Sequence, residues 1–225
     1  MLIKEIVASM RLKNVPGAAE YIANSPYATP EPQLYKGKWK ALFGNDHPVR
    51  LEIGMGKGQF IIGMSEAAPE ISFIGMEKYS SVLKRAVQKQ EVHQLPNLKL
   101  VCADAADLED MFAEGEIDRI YLNFSDPWPK DRHWKRRLSS EVFLKKYEKI
   151  LKDKGTVEMK TDNVPLFDFS LESFADRGWQ LICVTRDLHH DPGLTGNIMT
   201  EYEAKFSAQG KPVMKLIAVK PETAK

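Results

Sequence analysis

The sequence lacks the marks of an exported or membrane-spanning protein. Its 225 residues include two cysteines, Cys102 and Cys183, and no CxxC pair, so neither a disulfide framework nor a zinc site is indicated. No apolar run approaches the roughly 18 residues of a transmembrane helix. The N-terminus has neither a long apolar core nor a small-residue cleavage site, so we expect no signal peptide. These absences predict a protein of the reducing cytoplasm without a membrane partner.

An excess of charge of either sign is also missing. The net charge is +1 and the sequence pI is about 7.7, beside ordinary fractions of hydrophobic (43%) and charged (28%) residues. The total charge therefore does not indicate a nucleic-acid-binding protein. It does not exclude one, because such binding depends on where the charges cluster.

Two regions of the chain differ in pattern. Residues 1–48 contain five prolines and predict an N-terminal arm with one or two short helices, in which Met10 is a candidate natural start and 1–9 an upstream extension. From Val49 onward short apolar runs alternate with helical stretches, which predicts one folded domain over 49–225. The apolar runs lie at 49–53, 71–77, 98–102, 117–124, 155–160, 179–186 and 213–219.

Alternation of strand and helix over the first five runs is typical of a parallel sheet wound on both faces. The last two runs are joined by a loop-rich segment without a long helix, so we expect them to pair antiparallel. The predicted class is α/β: a doubly wound, mostly parallel, seven-stranded Rossmann-like sheet with an antiparallel last strand. One helix is indicated by Phe143, Tyr147, Ile150 and Leu151 at helical spacing after two serines, Ser139 and Ser140, which we interpret as caps.

The motif LEIGMGKGQF, residues 51–60, places three glycines where the first strand gives way to a helix. Gly54, Gly56 and Gly58 allow a tight turn and a close approach of the backbone to a ligand. Dinucleotide-binding folds use the same place in the sheet for phosphates. The spacing here is GxGxG and not GxGxxG, which does not favour a pyrophosphate.

Acidic residues follow the next two strands. Glu77 ends the second strand, about 20 residues past the glycines, where an acid can accept hydrogen bonds from both hydroxyls of a ribose. Asp104 follows the third strand and could accept from an adenine amine. Together with the glycine turn these acids predict an adenosine site at the carboxyl edge of the sheet. The turn itself, from Glu52 to Gly58, resembles the E/D-x-G-x-G-x-G motif of class I S-adenosylmethionine-dependent methyltransferases.

A third acid, Asp126, begins the string DPWPKDRHWKRR just beyond the fourth strand. Two prolines stiffen this turn. Trp128 is a candidate wall for a flat base, and basic and aromatic side chains alternate after it. Such a mixture suits phosphate contact combined with base stacking. The alternative is an ordinary solvated basic patch.

The full string resembles the signature of bacterial tRNA (guanine-N7-)-methyltransferases, and the resemblance extends through KTDN at 160–163 and TEYEAKF at 200–206. It covers the chain from about Asn14 to the C-terminus. One departure is Asn123-Phe124-Ser125 before Asp126, where many members of that family have a proline beside the aspartate.

The resemblance implies S-adenosyl-L-methionine as cofactor and the variable-loop guanosine of tRNA, position 46, as substrate. It implies cofactor contacts by matching residues: Glu52, Gly54, Gly56, Gly58, Glu77, Asp104, Ala105 and Asp126. Substrate contacts would come from Lys130, Asp162, Thr200, Glu201, Tyr202 and Glu203. RNA contacts would come from Arg132, His133, Trp134, Lys135, Arg136 and Arg137.

The chemistry of guanine N7 suggests the role of Asp126. N7 has an in-plane lone pair and no proton, so the nucleophile needs no base. The purine becomes cationic as the methyl group arrives, and a carboxylate beside it would stabilise that charge. We therefore expect Asp126 to act as the catalytic residue through charge stabilisation and guanine holding. Asp162 and Glu203 could accept from guanine N1–H and the N2 amine.

Three rival functions remain open from the sequence. A nicotinamide-dependent oxidoreductase would use the same glycine turn, although the GxGxG spacing disfavours it. A methyltransferase acting on an exocyclic amine is a second rival, since Asp-Pro-Trp-Pro is similar to the motif of adenine amine enzymes. A catalytically idle RNA-binding module is the third. We expect no metal, because His189, His190 and Asp191 lack a further ligand at suitable spacing. The oligomeric state is not fixed, and a homodimer stays open.

Overall fold

The computed structural model describes residues 15–222 of the chain. The prediction that Met10 is the natural start, with 1–9 as an extension, lies outside these described residues. Seven strands form one sheet in the order β3-β2-β1-β4-β5-β7-β6. The strands are β1 Val49–Ile53, β2 Ser72–Glu77, β3 Leu98–Cys102, β4 Ile117–Asn123, β5 Leu151–Thr161, β6 Gln180–Thr185 and β7 Met214–Val219.

Helices flank the sheet. The α-helices are α1 Ala18–Ala23, α2 Trp39–Phe43, α3 Gln59–Ala67, α4 Ser80–His93, α5 Leu108–Met111, α6 Glu141–Ile150, α7 Val164–Asp176 and α8 Glu201–Ser207. Three 3₁₀ helices lie at Pro32–Tyr35, Ala105–Asp107 and Asp131–Arg136. Within residues 15–222, none of the helices is both long and apolar enough to cross a membrane.

The predicted fold class is confirmed. The pairs β1–β2, β2–β3, β1–β4 and β4–β5 are parallel. Strand β7 is inserted between β5 and β6 and runs antiparallel to both. Because parallel strands end at the same edge, the carboxyl ends of β1, β2, β3, β4 and β5 lie together, and the residues that follow them form one rim.

Two local predictions differ from the structure. Leu151, expected on a helix, is the first residue of β5, where it is fully buried and pairs with Ile117 of β4. Ser140 stands at the N-cap position of α6, but its hydroxyl donates to the Lys135 carbonyl oxygen and does not cap the helix. The Ser139 hydroxyl instead accepts from Ser170 of α7 at 2.7 Å. These hydroxyls form hydrogen bonds with groups that the tertiary packing brings close, and a local sequence pattern does not predict such bonds.

The part of the arm that the structure describes, residues 15–48, packs against the sheet domain. Trp39 is fully buried, stacks on Phe112 with ring centroids 5.4 Å apart, and donates its indole N–H to the Met111 carbonyl oxygen at 2.9 Å. Ala28 forms a bridge to Leu100 of β3 and so covers an edge of the sheet. The boundary at 48 therefore separates two sequence patterns within one packed body.

Candidate active site

The glycine turn after β1 is held by the end of β2. The amide groups of Gly54 and Met55 both donate to the Met76 carbonyl oxygen, at 2.8 and 3.0 Å. Gly54, Gly56 and Gly58 all have positive φ, the left-handed region that favours glycine. A Cβ on Gly58 would come within 3.1 Å of the Ala86 Cβ of α4, so this glycine also permits close helix packing.

Glu77 ties the turn to the rim. One carboxylate oxygen accepts from the Gly56 amide at 3.1 Å, and the other accepts from the Tyr79 amide at 3.0 Å. The side chain is buried, and burial raises the pKa of its carboxyl group against the lowering effect of these bonds. The negative charge of Asp126 raises this pKa slightly further.

Glu52 and Asn123 form a buried polar pair at the ends of β1 and β4. They are 1% and 6% exposed, and the Asn123 amide donates to one Glu52 oxygen at 2.8 Å. The second Glu52 oxygen, Oε2, and the Asn123 oxygen are buried without a hydrogen-bond partner. Burial raises the pKa of Glu52 to about 7, although Asn123 and the Lys160 charge lower it. Two unpaired buried acceptors next to each other suit a donor-rich, cationic ligand group.

Asp104 is held at the end of β3 by Lys78, a cation that belongs to none of the sequence motifs. Lys78 lies 2.5 Å from one carboxylate oxygen, and the Ala106 amide donates to the other at 3.0 Å. The hydrogen bond from Lys78 and that from Ala106 lower the pKa of this carboxyl group. Asp104 is half-buried, and the neighbouring Ala105 is buried. Asp104 is therefore an oriented, ionised acceptor beside Glu77.

The turn around Asp126 has an unusual backbone. Phe124 and Trp128, on either side of the aspartate, are non-glycine residues with φ of 51° and 43°. Such conformations persist only where the surroundings fix them, and they cluster at functional sites. Here the Phe124 amide donates to the Lys160 carbonyl oxygen of β5 at 2.8 Å. The Asp126 side chain is exposed at the rim, where a ligand can reach it.

The basic run after this turn forms a 3₁₀ helix over Asp131–Arg136 and not a loose loop. The Arg136 guanidinium lies over the Trp128 ring at 4.9 Å, and the His133 ring meets the same indole edge-on at 5.8 Å. Lys135 lies 5.6 Å from the ring of Trp134. Lys130, Arg132, Lys135 and Arg136 are exposed.

The Arg137 side chain forms hydrogen bonds with the backbone of the protein itself. Its Nε donates to the Pro127 carbonyl oxygen at 3.1 Å, and its Nη2 donates to the Trp128 carbonyl oxygen at 3.3 Å. The guanidinium lies over the ring of Phe169 at 4.3 Å. This arginine therefore supports the turn that carries Asp126, a contact that the charge pattern does not reveal.

The segment before and within α8 reaches the same rim. Thr200 caps α8 in a capping box with Glu203. The Tyr202 hydroxyl donates to Asp162 at 3.0 Å, and its ring lies 5.0 Å from Phe124. Burial and the Asp162 charge raise the pKa of Tyr202 to about 12, so this hydroxyl stays a donor at neutral pH. Glu201 pairs with Lys89 of α4 at 2.5 Å.

Glu203, which was predicted to contact guanine, is enclosed by groups of the protein itself. Its side chain is fully buried and lies 2.7 Å from the Lys160 ammonium. Asn197 donates to its other oxygen, Oε1, at 2.7 Å, and His189 Nε2 lies 3.2 Å from the same oxygen. These contacts fix the loop before α8. His189 thus contacts a buried acid; within residues 15–222 no three His, Cys, Asp or Glu side chains are grouped to hold a metal.

The fold is the Rossmann-like sheet that is also found in methyltransferases of known structure. A 16S rRNA methyltransferase, KamB, superimposes with a TM-score of 0.62 at 16% identity, covering 82% of this chain and 94% of that one. A SAM-dependent methyltransferase from Aquifex aeolicus superimposes with a TM-score of 0.55 at 13% identity, covering 95% and 98%. Identities this low show the shared fold.

Sequence comparison then identifies the family. Residues 46–216 match the family described as "Putative methyltransferase". The chain is 55% identical over 209 residues to the tRNA (guanine-N(7)-)-methyltransferase of Lachnoclostridium phytofermentans, covering 93% of this chain and 98% of the relative. It is 51% identical over 205 residues to that of Bacillus subtilis, covering 91% and 96%. The chain belongs to the tRNA (guanine-N(7)-)-methyltransferase family.

Proposed function

We propose that this protein transfers a methyl group from S-adenosyl-L-methionine to N7 of guanosine 46 in the variable loop of tRNA, in the cytoplasm. The observation that carries the proposal is the placement of the glycine turn, which is held by Glu77, and of the exposed Asp126 at the carboxyl ends of the adjacent strands β2, β1 and β4. The relatives named as tRNA (guanine-N(7)-)-methyltransferases cover more than nine-tenths of the chain.

The cofactor fits the residues at the ends of β1, β2 and β3. It supplies an electrophilic methyl group on a sulfonium ion. Glu77 would accept from the ribose hydroxyls, and Asp104 with Ala105 would hold the adenine end. The unpaired oxygens of Glu52 and Asn123 would accept from the cationic amino-acid end. Gly54, Gly56 and Gly58 leave the backbone of the turn open to close approach.

Asp126 would act on the base. Guanine N7 attacks through its lone pair, so no proton has to leave before the bond forms. Positive charge spreads over the purine as the reaction proceeds, and a fixed carboxylate next to the ring stabilises it. The supports of the turn, at Phe124 and Arg137, keep Asp126 in place before the substrate arrives. Asp126 is therefore assigned as a charge stabiliser that also holds the guanine.

Selection of guanine is assigned to Asp162. Its carboxylate already accepts from Tyr202, and a carboxylate has about four lone-pair sites, so it can also accept from guanine N1–H and the N2 amine. Adenine has no proton on N1 and would leave this acceptor unpaired. Lys130, Thr200, Glu201 and Tyr202 would line the entrance for the nucleoside.

RNA backbone contact is assigned to the 3₁₀ helix after the turn. Arg132, His133, Trp134, Lys135 and Arg136 place cations and aromatic rings beside the reacting base. Turning the target base out of a folded tRNA costs a few kcal/mol, and stacking on Trp128 would offset part of that. Binding should weaken with added salt, because cations that neutralise phosphates release counterions.

The decisive experiment is transfer of a labelled methyl group to a tRNA pool, followed by nucleoside analysis and mapping of the modified position. We expect 7-methylguanosine at position 46. Methyladenosine as the product would favour an amine methyltransferase, and binding of tRNA without label would favour an idle RNA-binding module. A tRNA carrying adenosine at position 46 is the matched control and should remain unlabelled.

A further inference from the structure

Lys160 is a charged residue in a fully buried position, one residue before the end of β5. Its ammonium group lies 2.7 Å from Glu203 Oε2, 3.2 Å from Asn197 Oδ1 and 2.9 Å from the Ile198 carbonyl oxygen. All three partners belong to the segment 197–203, which leads into α8. An ammonium has three hydrogens, so each is used on this one segment.

The acceptor side of the pair is equally engaged. Glu203 Oε2 also accepts from the Thr200 amide at 3.4 Å, the N-cap residue of α8. Glu203 Oε1 accepts from Asn197 at 2.7 Å and lies 3.2 Å from His189 Nε2. The pair therefore closes the loop before α8 onto the sheet through charge-assisted hydrogen bonds, which have narrow geometry.

The main chain of Lys160 contacts the turn that carries Asp126. Its carbonyl oxygen accepts from Phe124, the strained residue two positions before Asp126. Lys160 also pairs in register with Asn123, the partner of Glu52, and lies two residues before Asp162. The Phe124 ring then lies against Tyr202. One residue thus contacts both the Asp126 turn and the segment beside Asp162.

Stability alone does not account for a pair in this position. Removing two charges from water is costly, and apolar pairs of similar volume often serve as well or better. Burial lowers the pKa of the Lys160 ammonium, against the opposing effect of Glu203. An apolar pair cannot supply directional hydrogen bonds. It would pack the 197–203 segment against β5 without fixing the position of the segment along the strand.

We propose that Lys160 is a positioning residue for methyl transfer: its side chain and main chain hold the 197–203 segment and the Asp126 turn in one alignment around the guanine. The proposal rests on the proposed function. The ion pair itself touches neither base nor cofactor and acts by setting where Asp162 and Asp126 stand relative to each other.

The test is the double variant Lys160→Met/Glu203→Met, which keeps an apolar pair of similar volume and leaves no lone buried charge. We expect it to fold and to bind S-adenosylmethionine within about twofold of the wild type. We expect kcat on tRNA to fall about 30-fold or more, since small misplacements of reacting groups can cost about 100-fold. KM for tRNA should stay nearly unchanged, because the basic run is untouched.

A matched control replaces the ion pair Lys215–Glu158, which joins β7 to β5 at 2.6 Å and is 14% and 10% exposed. The control double variant, with both residues changed to Met, should retain kcat within a few-fold. Wild-type kcat in Lys160→Met/Glu203→Met would overturn the positioning role and leave a purely structural pair. A loss of kcat accompanied by an equal loss of cofactor binding would overturn it as well.

The isosteric variant Glu203→Gln, which keeps the shape of the side chain but leaves Lys160 without its counter-charge, covers the case in which the double variant does not fold. Glutamine keeps one acceptor for Lys160 but turns a donor toward Asn197 or His189. A lower kcat at unchanged KM supports the proposal, and an unchanged kcat contradicts it. Wild-type protein that forms no 7-methylguanosine would contradict the proposed function itself, before any variant is compared.

Discussion

Asp126 and Glu52 are both acids of the candidate site, but water reaches them very differently. Asp126 is exposed on a strained turn, whereas Glu52 is 1% exposed and keeps one oxygen unpaired. An exposed carboxylate can be reached by a substrate and can meet a charge that develops during reaction. A buried one is held in place, and its protonation depends on what binds beside it.

Asp126→Asn should remove most of the catalysis while leaving the protein folded. Asparagine has nearly the same shape but no charge, so it cannot balance the cationic purine. We expect kcat to fall by about 100-fold or more, the range typical of losing one preorganised electrostatic group. Single-turnover methyl transfer measures the change, and titration of S-adenosylmethionine should give an affinity only moderately weakened. Wild-type turnover in this variant would remove Asp126 from the mechanism.

Glu52 should make the stability of the ligand-free protein fall as the pH rises. The carboxyl group ionises with a pKa of about 7 in the folded chain against 4.5 as the ordinary value. The folded state therefore holds the proton more tightly, and the stabilisation, complete below pH 4.5, is lost as the pH rises toward and through 7. A shift of this size corresponds to roughly 3 kcal/mol.

Urea unfolding of wild type and Glu52→Gln at pH 5, 6, 7 and 8 checks this. Glutamine is neutral throughout and keeps an acceptor for Asn123, so the variant should become more stable relative to wild type as the pH rises. The control is Glu114→Gln at an exposed position, which should leave the change of unfolding free energy with pH as it is in the wild type. If the unfolding free energy of Glu52→Gln changed with pH as it does in the wild type, the pH dependence would belong to another group.

At the scale of elements, the site depends on connections between segments that are distant in the sequence. The Asp126 turn is supported from β5 through Lys160 and from the end of the basic 3₁₀ helix through Arg137. The loop before α8 is fixed by the buried pair, and α8 is joined to α4 by Glu201 and Lys89. A strained turn keeps its shape because several elements restrain it at once.

Arg137→Lys should separate support of the turn from contact with RNA. Lysine keeps the charge but loses the two fixed N–H directions toward Pro127 and Trp128. We expect a loss of about 1–3 kcal/mol in unfolding free energy and a lower kcat. The slope of log affinity for tRNA against log salt should not change, because the guanidinium faces the protein.

Arg132→Ala is the matched comparison on the exposed part of the same run. Its unfolding free energy should stay within about 0.5 kcal/mol of wild type. The salt slope for tRNA should become shallower by about 0.7 to 1 if the residue contacts one phosphate. Filter binding at several salt concentrations measures both variants. A shallower slope for Arg137→Lys would place that residue at the RNA.

At the scale of the whole molecule, the N-terminal segment and the sheet share one core. Trp39 stacks on Phe112 and belongs to the same buried cluster as residues of the sheet, and the chain at Ala28 adds to the edge of β3. Trp39→Ala should therefore destabilise the domain by about 3–5 kcal/mol through the cavity it leaves. Thermal unfolding should remain a single transition at lower temperature. A separate, earlier transition would mean that the segment unfolds independently.

The sequence by itself determined the fold class, a mostly parallel seven-stranded sheet with an antiparallel last strand, and the positions of most strands. The runs at 49–53 and 98–102 match β1 and β3 residue for residue, because a buried parallel strand needs a continuous apolar stretch between polar turns. The glycine turn and the acids at the strand ends were also visible, since their spacing follows from the sheet. The start of β5 was not visible in the sequence, because Leu151 fits a helical pattern as well as it fits a strand.

Only the tertiary structure decided which polar side chains face a ligand and which face the protein. Glu203 and Arg137 look like ligand contacts in the sequence, yet one is enclosed with Lys160 and the other supports the Asp126 turn. Asn123 and Lys78 gave no sequence signal, although each orients an acid of the rim. The physical reason is that burial and pairing of polar groups depend on partners far along the chain. Local spacing fixes where a side chain stands on its element, and packing fixes what it meets there.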